Sequence, residues 1–380
     1  MNKADTFSLQ DAARRLGPRA FSTLVKPGGS ACNLACGYCY YLEKAGLYGG
    51  REPVMSEELL ETYIRQFIDA VQTGPVDFCW HGGEPLLLGT GFFKKALELQ
   101  RKYAGGREIR NSLETNGTLL TDEWCRFFAR NQFLVGLSFD GPEDIHDAYR
   151  VNKGGRASFG RVMEAAAMLR RHGVEFNTLS VLTTRSEGRG AEIYRFFRDN
   201  VGSRYMQFLP ASDTLPDGSP APWNISPKGY GQLLCDIFDE WSAGDIGRCF
   251  VLSFDAAVAG WCGLKPGICT FNETCGDSLA VEHNGDVYPC DHFVAPENLL
   301  GNITRTPLGD IYDSPERLRF ALAKRNTLPG ECLKCRYLRA CRGGCPAQRG
   351  PDGRNRLCEG LRAFFRHIEP FMDEMRASIL

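Results

Sequence analysis

From about residue 20 to residue 210, short apolar runs alternate with amphipathic stretches, and this alternation is the strongest constraint on the fold. The runs FSTLVKP (21–27), VDFCW (76–80), EIRNSLETNG (108–117), FLVGLSFDG (133–141), VEFNTLSVLT (174–183) and RYMQFLP (204–210) read as strands. Helical spacing of apolar residues fills 56–72, 91–103, 121–130, 158–172 and 190–200. Ser56 and Thr121 are expected N-caps, since each precedes acidic residues that suit a helix N-terminus. Strands joined by helices pair in parallel through βαβ crossovers. The expected class is α/β: a partial (β/α)6 TIM-like barrel followed by a small C-terminal domain. HGGEP (81–85), ETNG (114–117) and SFDG (138–141) end the second, third and fourth strands. In β/α barrels the chemistry collects at that face.

With 380 residues the chain is long enough for a barrel-sized domain plus a smaller one. The segment 210–228 is rich in Pro, Gly and Ser and reads as a surface loop, with a helical stretch at 228–243 after it. Past about residue 262 the composition shifts to Cys, Gly and short segments. The expected organisation is an N-terminal arm (1–19), a β/α domain (20–235), a linker with a helix (236–262) and a small domain (263–380). A net charge of −1 provides no global basic field, so neither nucleic acid nor an anionic membrane is an expected partner. No apolar run reaches the length of a membrane span, and the first residues lack the apolar core of a secretory signal. The expected location is the cytoplasm.

In a reducing compartment, clustered cysteines among the sixteen are more often metal ligands or catalysts than disulfides. Cys79, Cys125, Cys235, Cys249 and Cys262 are scattered and suit buried thiols. The others cluster. Cys32-x3-Cys36-x2-Cys39 places three thiolates directly after the first strand. Thiolates suit iron–sulfur clusters and zinc. Three close ligands leave one iron of a four-iron cluster open; a zinc loop with a distant fourth ligand is the alternative. Cys269, Cys275, Cys290, Cys332, Cys335, Cys341, Cys345 and Cys358 suffice for two four-thiolate sites, as iron–sulfur clusters or as zinc.

The triplet followed by Gly82-Gly83-Glu84-Pro85 resembles the radical S-adenosylmethionine (SAM) superfamily. The resemblance implies that SAM binds the open iron and that a 5′-deoxyadenosyl radical abstracts hydrogen from the substrate. It also implies a SAM site near Tyr38, Gly83, Glu84, Ser138, Arg150 and Ser212. Glycines let backbone approach a ligand, Glu84 can accept from its ammonium, and Arg150 can pair with its carboxylate.

The C-terminal third, with Val287-Tyr288-Pro289-Cys290-Asp291 and Cys341-Arg-Gly-Gly-Cys345, resembles the twin-cluster SPASM extension. With LETNGTLL (113–120) and FLVGLSFDGPEDIH (133–146), the pattern resembles the anaerobic sulfatase-maturating enzymes over roughly 20–360. That resemblance implies three [4Fe-4S] clusters. Cys269, Cys275, Cys290 and Cys345 would hold auxiliary cluster I, with Cys262 competing for the first place. Cys332, Cys335, Cys341 and Cys358 would hold auxiliary cluster II. The implied reaction oxidises a cysteine or serine of an unfolded or nascent sulfatase to Cα-formylglycine. The resemblance puts Asp291 in the general-base position, where a carboxylate is suitable if burial lifts its pKa toward the working pH. A flavodoxin or ferredoxin is the implied electron partner. Two other readings stand beside this one: a SPASM maturase forming thioether or carbon–carbon crosslinks in a ribosomal peptide, and a non-catalytic iron–sulfur or zinc scaffold.

Overall fold

The computed structural model describes residues 18–41, 44, 46, 47 and 54–379. Most of the arm expected at 1–19 lies outside the described residues. The chain forms two compact units, each discontinuous in sequence. The first comprises Met1–Cys32, Tyr41–Leu113 and Cys275–Ala323; the second comprises Asn33–Tyr40, Glu114–Thr274 and Lys324–Leu380.

In the first unit lie β1 (Ser22–Lys26), α1 (Glu57–Ala70), β2 (Val76–Trp80), α2 (Gly89–Tyr103) and most of β3 (Ile109–Thr115). β1 pairs with β2, and β2 with β3, all in parallel, as the alternation requires. Ser56 caps α1, its hydroxyl accepting from Leu59 N, with Glu57 and Glu58 in the first turn. Tyr63 and Phe67 of α1 bury their rings against Phe78 and Trp80 of β2, with Phe67 and Phe78 centroids 4.9 Å apart. The far side of β1 is covered by strands from the cysteine-rich region, which were not among the expected six. After α7 of the second unit come β8 (Ser278–Glu282), β9 (Asp286–Tyr288) and β10 (Gly301–Asn302). β8 is parallel to β1, and the β8–β9–β10 pairings are antiparallel. Two helices, α8 (Leu308–Tyr312) and α9 (Pro315–Asn326), follow them.

The second unit holds α3 (Asp122–Arg130), β4 (Leu134–Ser138), α4 (Phe159–Arg171), β5 (Phe176–Leu182) and α5 (Gly190–Arg195), which runs on as a π-helical turn to Val201. Thr121 caps α3 as expected. β6 (Tyr205–Pro210), α6 (Pro227–Ser242), the short β7 (Phe250–Val251) and α7 (Leu252–Trp261) complete the series. β4 to β7 pair successively in parallel, so β7 adds a strand that the hydrophobic pattern does not reveal. α6 packs on the terminal helix α10 (Cys358–Ile379), where Gly360 lies so close to Pro227 that an added Cβ would be 2.0 Å from its carbonyl oxygen. Neither unit's strands close into a barrel by themselves. Among the described residues no helix is long and apolar enough to cross a membrane.

Candidate active site

Parallel strands aim their C-terminal ends at one side, and in each unit the charged and polar side chains gather there. In the first unit β1 ends on Lys26, and Gly28–Ala31 lead into Cys32. The Gly82-Gly83-Glu84 turn after β2 packs directly on that lead: Gly83 N donates to Gly29 O, and Glu84 N to Ala31 O at 2.7 Å. A Cβ on Gly83 would sit 2.0 Å from Ala31 O. Here the glycine is required by the chain's own backbone at the edge of the cysteine loop. Glu84 is buried, and one carboxylate oxygen accepts from Leu86 N at 3.0 Å, capping the turn Pro85–Leu88.

The same unit buries a network of charges. The Lys26 ammonium, fully buried, pairs with Asp291, lies 3.7 Å from Glu282 and stands 3.8 Å from the centre of the Tyr41 ring. Tyr41 donates its hydroxyl to both Glu282 oxygens, at 2.8 and 2.7 Å. Burial alone would raise the Asp291 pKa, but the charges of Lys26, His81 and His292 outweigh it and hold the carboxyl well below its ordinary range. The upward shift that burial would give is therefore reversed: a neighbouring cation dominates desolvation. Glu282 goes the other way, pushed up by burial against the opposing pull of Lys26 and Tyr41. His81, to which the sequence assigns no role, contributes to the field at Asp291.

In the second unit Tyr38 and Arg150 meet on a residue that the SFDG run contains without announcing it. Asp140 is 1% exposed, accepts from Val181 N at 3.0 Å, receives the Tyr38 hydroxyl and lies 3.0 Å from Arg150 Nε. The Arg150 guanidinium stands 5.6 Å from the Tyr38 ring centre. Burial chiefly raises the Tyr38 pKa, so its phenol remains a donor. Desolvation opposes the Arg150 charge, but Asp140 more than restores it. His146, buried beneath them, has its pKa lowered to about 2 by burial and then by Arg150. Its Nδ1 accepts from Asp140 N, which leaves Nε2 to donate to Ser158 Oγ at 2.9 Å. The cysteine loop is stitched to this platform: Ala35 N donates to Val151 O, Gly37 N to Tyr149 O, and Asn116 of the ETNG run to Asn33 Oδ1. Ser138 ends β4, half-buried, and Ser212 lies half-buried in the loop after β6.

None of the sixteen cysteines is in a disulfide. The thiols of Cys332, Cys335, Cys341 and Cys358 lie close enough to act on one another. Burial first, and then the neighbouring thiols, push Cys341 up to about 11. A shared cluster of positive iron would relieve that crowding of thiolates, so the donor set fits an iron–sulfur cluster. Burial likewise raises Cys345, with Cys269 adding to the shift and Lys324 opposing it. Cys262 instead ends α7, its amide donating to Val258 O. Among the described residues no three His, Cys, Asp or Glu side chains are drawn up around a metal-ion position.

The residues missed by sequence reasoning are Lys26, Tyr41, Glu282 and Asp140. Lys26 and Glu282 carry a signal in hindsight: each is a charge closing an apolar strand, at paired register positions.

Residues 27–197 match the Radical SAM superfamily, and residues 269–336 match an iron–sulfur cluster-binding domain, SPASM. The chain is 44% identical to the serine-type anaerobic sulfatase-maturating enzyme of Bacteroides thetaiotaomicron, over 94% of this chain and 91% of that one. It is 33% identical to the cysteine-type enzyme of Clostridium perfringens, over 92% of this chain and 96% of that one. Native anSMEcpe with bound AdoMet and Cp18Cys peptide superposes with a TM-score of 0.85 at 32% identity, over 94% of this chain and 99% of that one. The chain belongs to the anaerobic sulfatase-maturating enzymes, a group of the radical SAM superfamily with a SPASM domain.

Proposed function

We propose that this protein oxidises one cysteine or serine of a sulfatase polypeptide to Cα-formylglycine. The observation that carries this reading is the Asp291 carboxylate, buried beside Cys290 and paired with the Lys26 ammonium. When bound, SAM and its cluster supply the removal of one hydrogen atom from the substrate Cβ. The chain's own residues do the rest. The Asp291 carboxylate accepts the thiol or hydroxyl proton, while Lys26 and Glu282 hold it in place. One electron leaves with that proton and passes outward to the electron partner. A serine then becomes the aldehyde directly, and a cysteine becomes a thioaldehyde that water hydrolyses to the aldehyde with release of hydrogen sulfide.

Cys32, Cys36 and Cys39 would hold the SAM cluster, with Tyr38, Gly83, Glu84, Ser138, Arg150 and Ser212 around SAM. Asp140 supports this by joining Tyr38 to Arg150 on one carboxylate. Cys269, Cys275, Cys290 and Cys345 would hold auxiliary cluster I, and Cys332, Cys335, Cys341 and Cys358 auxiliary cluster II. The influence of Cys269 on Cys345 favours Cys269 over Cys262. We assign residues 20–235 to the radical SAM domain and 263–380 to the SPASM domain. The reaction belongs in the cytoplasm, with a flavodoxin or ferredoxin as electron partner.

Anaerobic incubation with cysteine- and serine-containing sulfatase peptides, read by mass, tests the assignment. Aldehyde from either peptide supports it. SAM cleavage with both peptides unchanged overturns it.

A further inference from the structure

Ser158 stands at the N-cap of α4, yet its side chain makes no capping bond. Asp147 does so in its place, one carboxylate oxygen accepting from Ser158 N and from Phe159 N, both at 2.9 Å. The Ser158 hydroxyl is turned elsewhere. It donates to Arg150 O at 2.6 Å and accepts from His146 Nε2 at 2.9 Å. His146 Nδ1 accepts in turn from Asp140 N at 3.3 Å, and the Asp140 carboxylate pairs with Arg150 Nε at 3.0 Å. One ion pair and three hydrogen bonds thus form a closed ring that leaves from the Arg150 guanidinium and returns to the Arg150 carbonyl. All four residues are buried, and each link donates in the same direction round. Arg150 N donates to His146 O at 3.0 Å, so the main chain of the arginine is held as well as its side chain. A buried polar ring of this kind is costly unless every member is satisfied, and apolar residues would fill the space at less cost. What it provides is a long side chain whose rotamer freedom is lost on folding and not on binding. The two Nη groups of Arg150 take no part in the ring. Cys36 acts electrostatically on the guanidinium, which places the arginine near the cysteine loop.

We propose that Ser158 and His146 are positioning residues for SAM: with Asp140 they lock Arg150 so that its guanidinium is already set for the ligand's carboxylate. This rests on the proposed function, which puts SAM beside Arg150. Ser158 and His146 act through the arginine and not by touching the ligand. Their contribution is therefore specific to the carboxylate and small for the rest of SAM.

The test is anaerobic equilibrium dialysis of reconstituted full-length protein, without reductant, against two ligands. One is SAM; the other is decarboxylated SAM, which keeps the sulfonium and ammonium but lacks the carboxylate. The parent protein should prefer SAM. Ser158→Ala should cut that preference about tenfold by weakening SAM alone, with decarboxylated SAM staying within about twofold of its parent affinity. Ser158→Thr keeps the hydroxyl and should hold the parent preference within about threefold. Equal losses for both ligands in Ser158→Ala overturn the proposal, because the serine would then support the site as a whole. Unchanged SAM affinity overturns it too. If Ser158→Ala fails to load iron, His146→Gln is measured under the same criteria, since its amide can still donate to Ser158 but leaves Asp140 N without this acceptor. A parent protein that binds neither ligand, or both equally, overturns the SAM site of the functional reading itself, before any variant is compared.

Discussion

Lys26 and Glu282 face each other across paired parallel strands, both fully buried, with their charged ends 3.7 Å apart. Register alone would make them an ion pair. The ammonium also meets Asp291, which takes the closer place. One cation thus serves two carboxylates, and their pKa values separate: Asp291 falls and Glu282 rises. Separation of this kind is how two acids acquire different tasks at one pH.

Lys26→Met should remove the ammonium that joins both carboxylates. Breaking a buried pair from one side typically costs about 3–5 kcal/mol, because the remaining charges stay buried. Denaturant unfolding of the variant should show a loss of that size. Glu282→Gln should lose less, since the amide can still accept from Tyr41.

Asp291→Asn should keep SAM cleavage within about twofold and lower aldehyde formation by about a hundredfold or more, the usual effect of a general base. Both products are measured in one anaerobic reaction, 5′-deoxyadenosine by chromatography and peptide by mass. Aldehyde formation at the parent rate would remove Asp291 from the proton-accepting role.

Gly83→Ala places a Cβ where Ala31 O already stands, at 2.0 Å. Backbone cannot yield cheaply, so the lead into Cys32 must shift, at a cost of about 1–3 kcal/mol or more. Reconstitution should then fall short of the roughly twelve irons expected for three four-iron clusters. Gly91→Ala, where nothing lies within 4 Å, is the control and should load fully.

His146 titrates at about 2 in the fold, against an ordinary value of about 6.5. The unfolded chain therefore binds a proton that the folded chain refuses throughout that interval. Its contribution is fully present above about pH 6.5 and is lost as pH falls toward the folded value. The slope reaches about 1.4 kcal/mol per pH unit for this one group. Unfolding measured at about pH 7 and pH 5.5 should show a smaller difference in His146→Gln than in the parent protein.

Much of this was legible from local pattern. The six expected strands appear within a few residues of their apolar runs because alternation and helical spacing are properties of neighbouring residues. Ser56 and Thr121 cap their helices because a cap acts only three residues away. The cysteine spacings name their chemistry because ligands of one cluster must be close, and a short loop is the simplest way to bring them close.

What lay beyond reach were pairings between distant segments. VYPCDH marks Asp291, yet its partner Lys26 lies 265 residues earlier in an apolar strand, where a lysine reads as an exception. The lift that burial would give Asp291 is reversed for that reason: burial can be guessed from one segment, but the field of a cation from another strand cannot. Asp140 lies ten residues from Arg150, yet only the fold brings the Tyr38 hydroxyl onto the same carboxylate. The sequence by itself determined the β/α order and the spacing of the clustered cysteines, both written at short range. Tertiary structure alone decided which buried charge faces which, because electrostatic partners are chosen by distance in space, and strand pairing sets that distance.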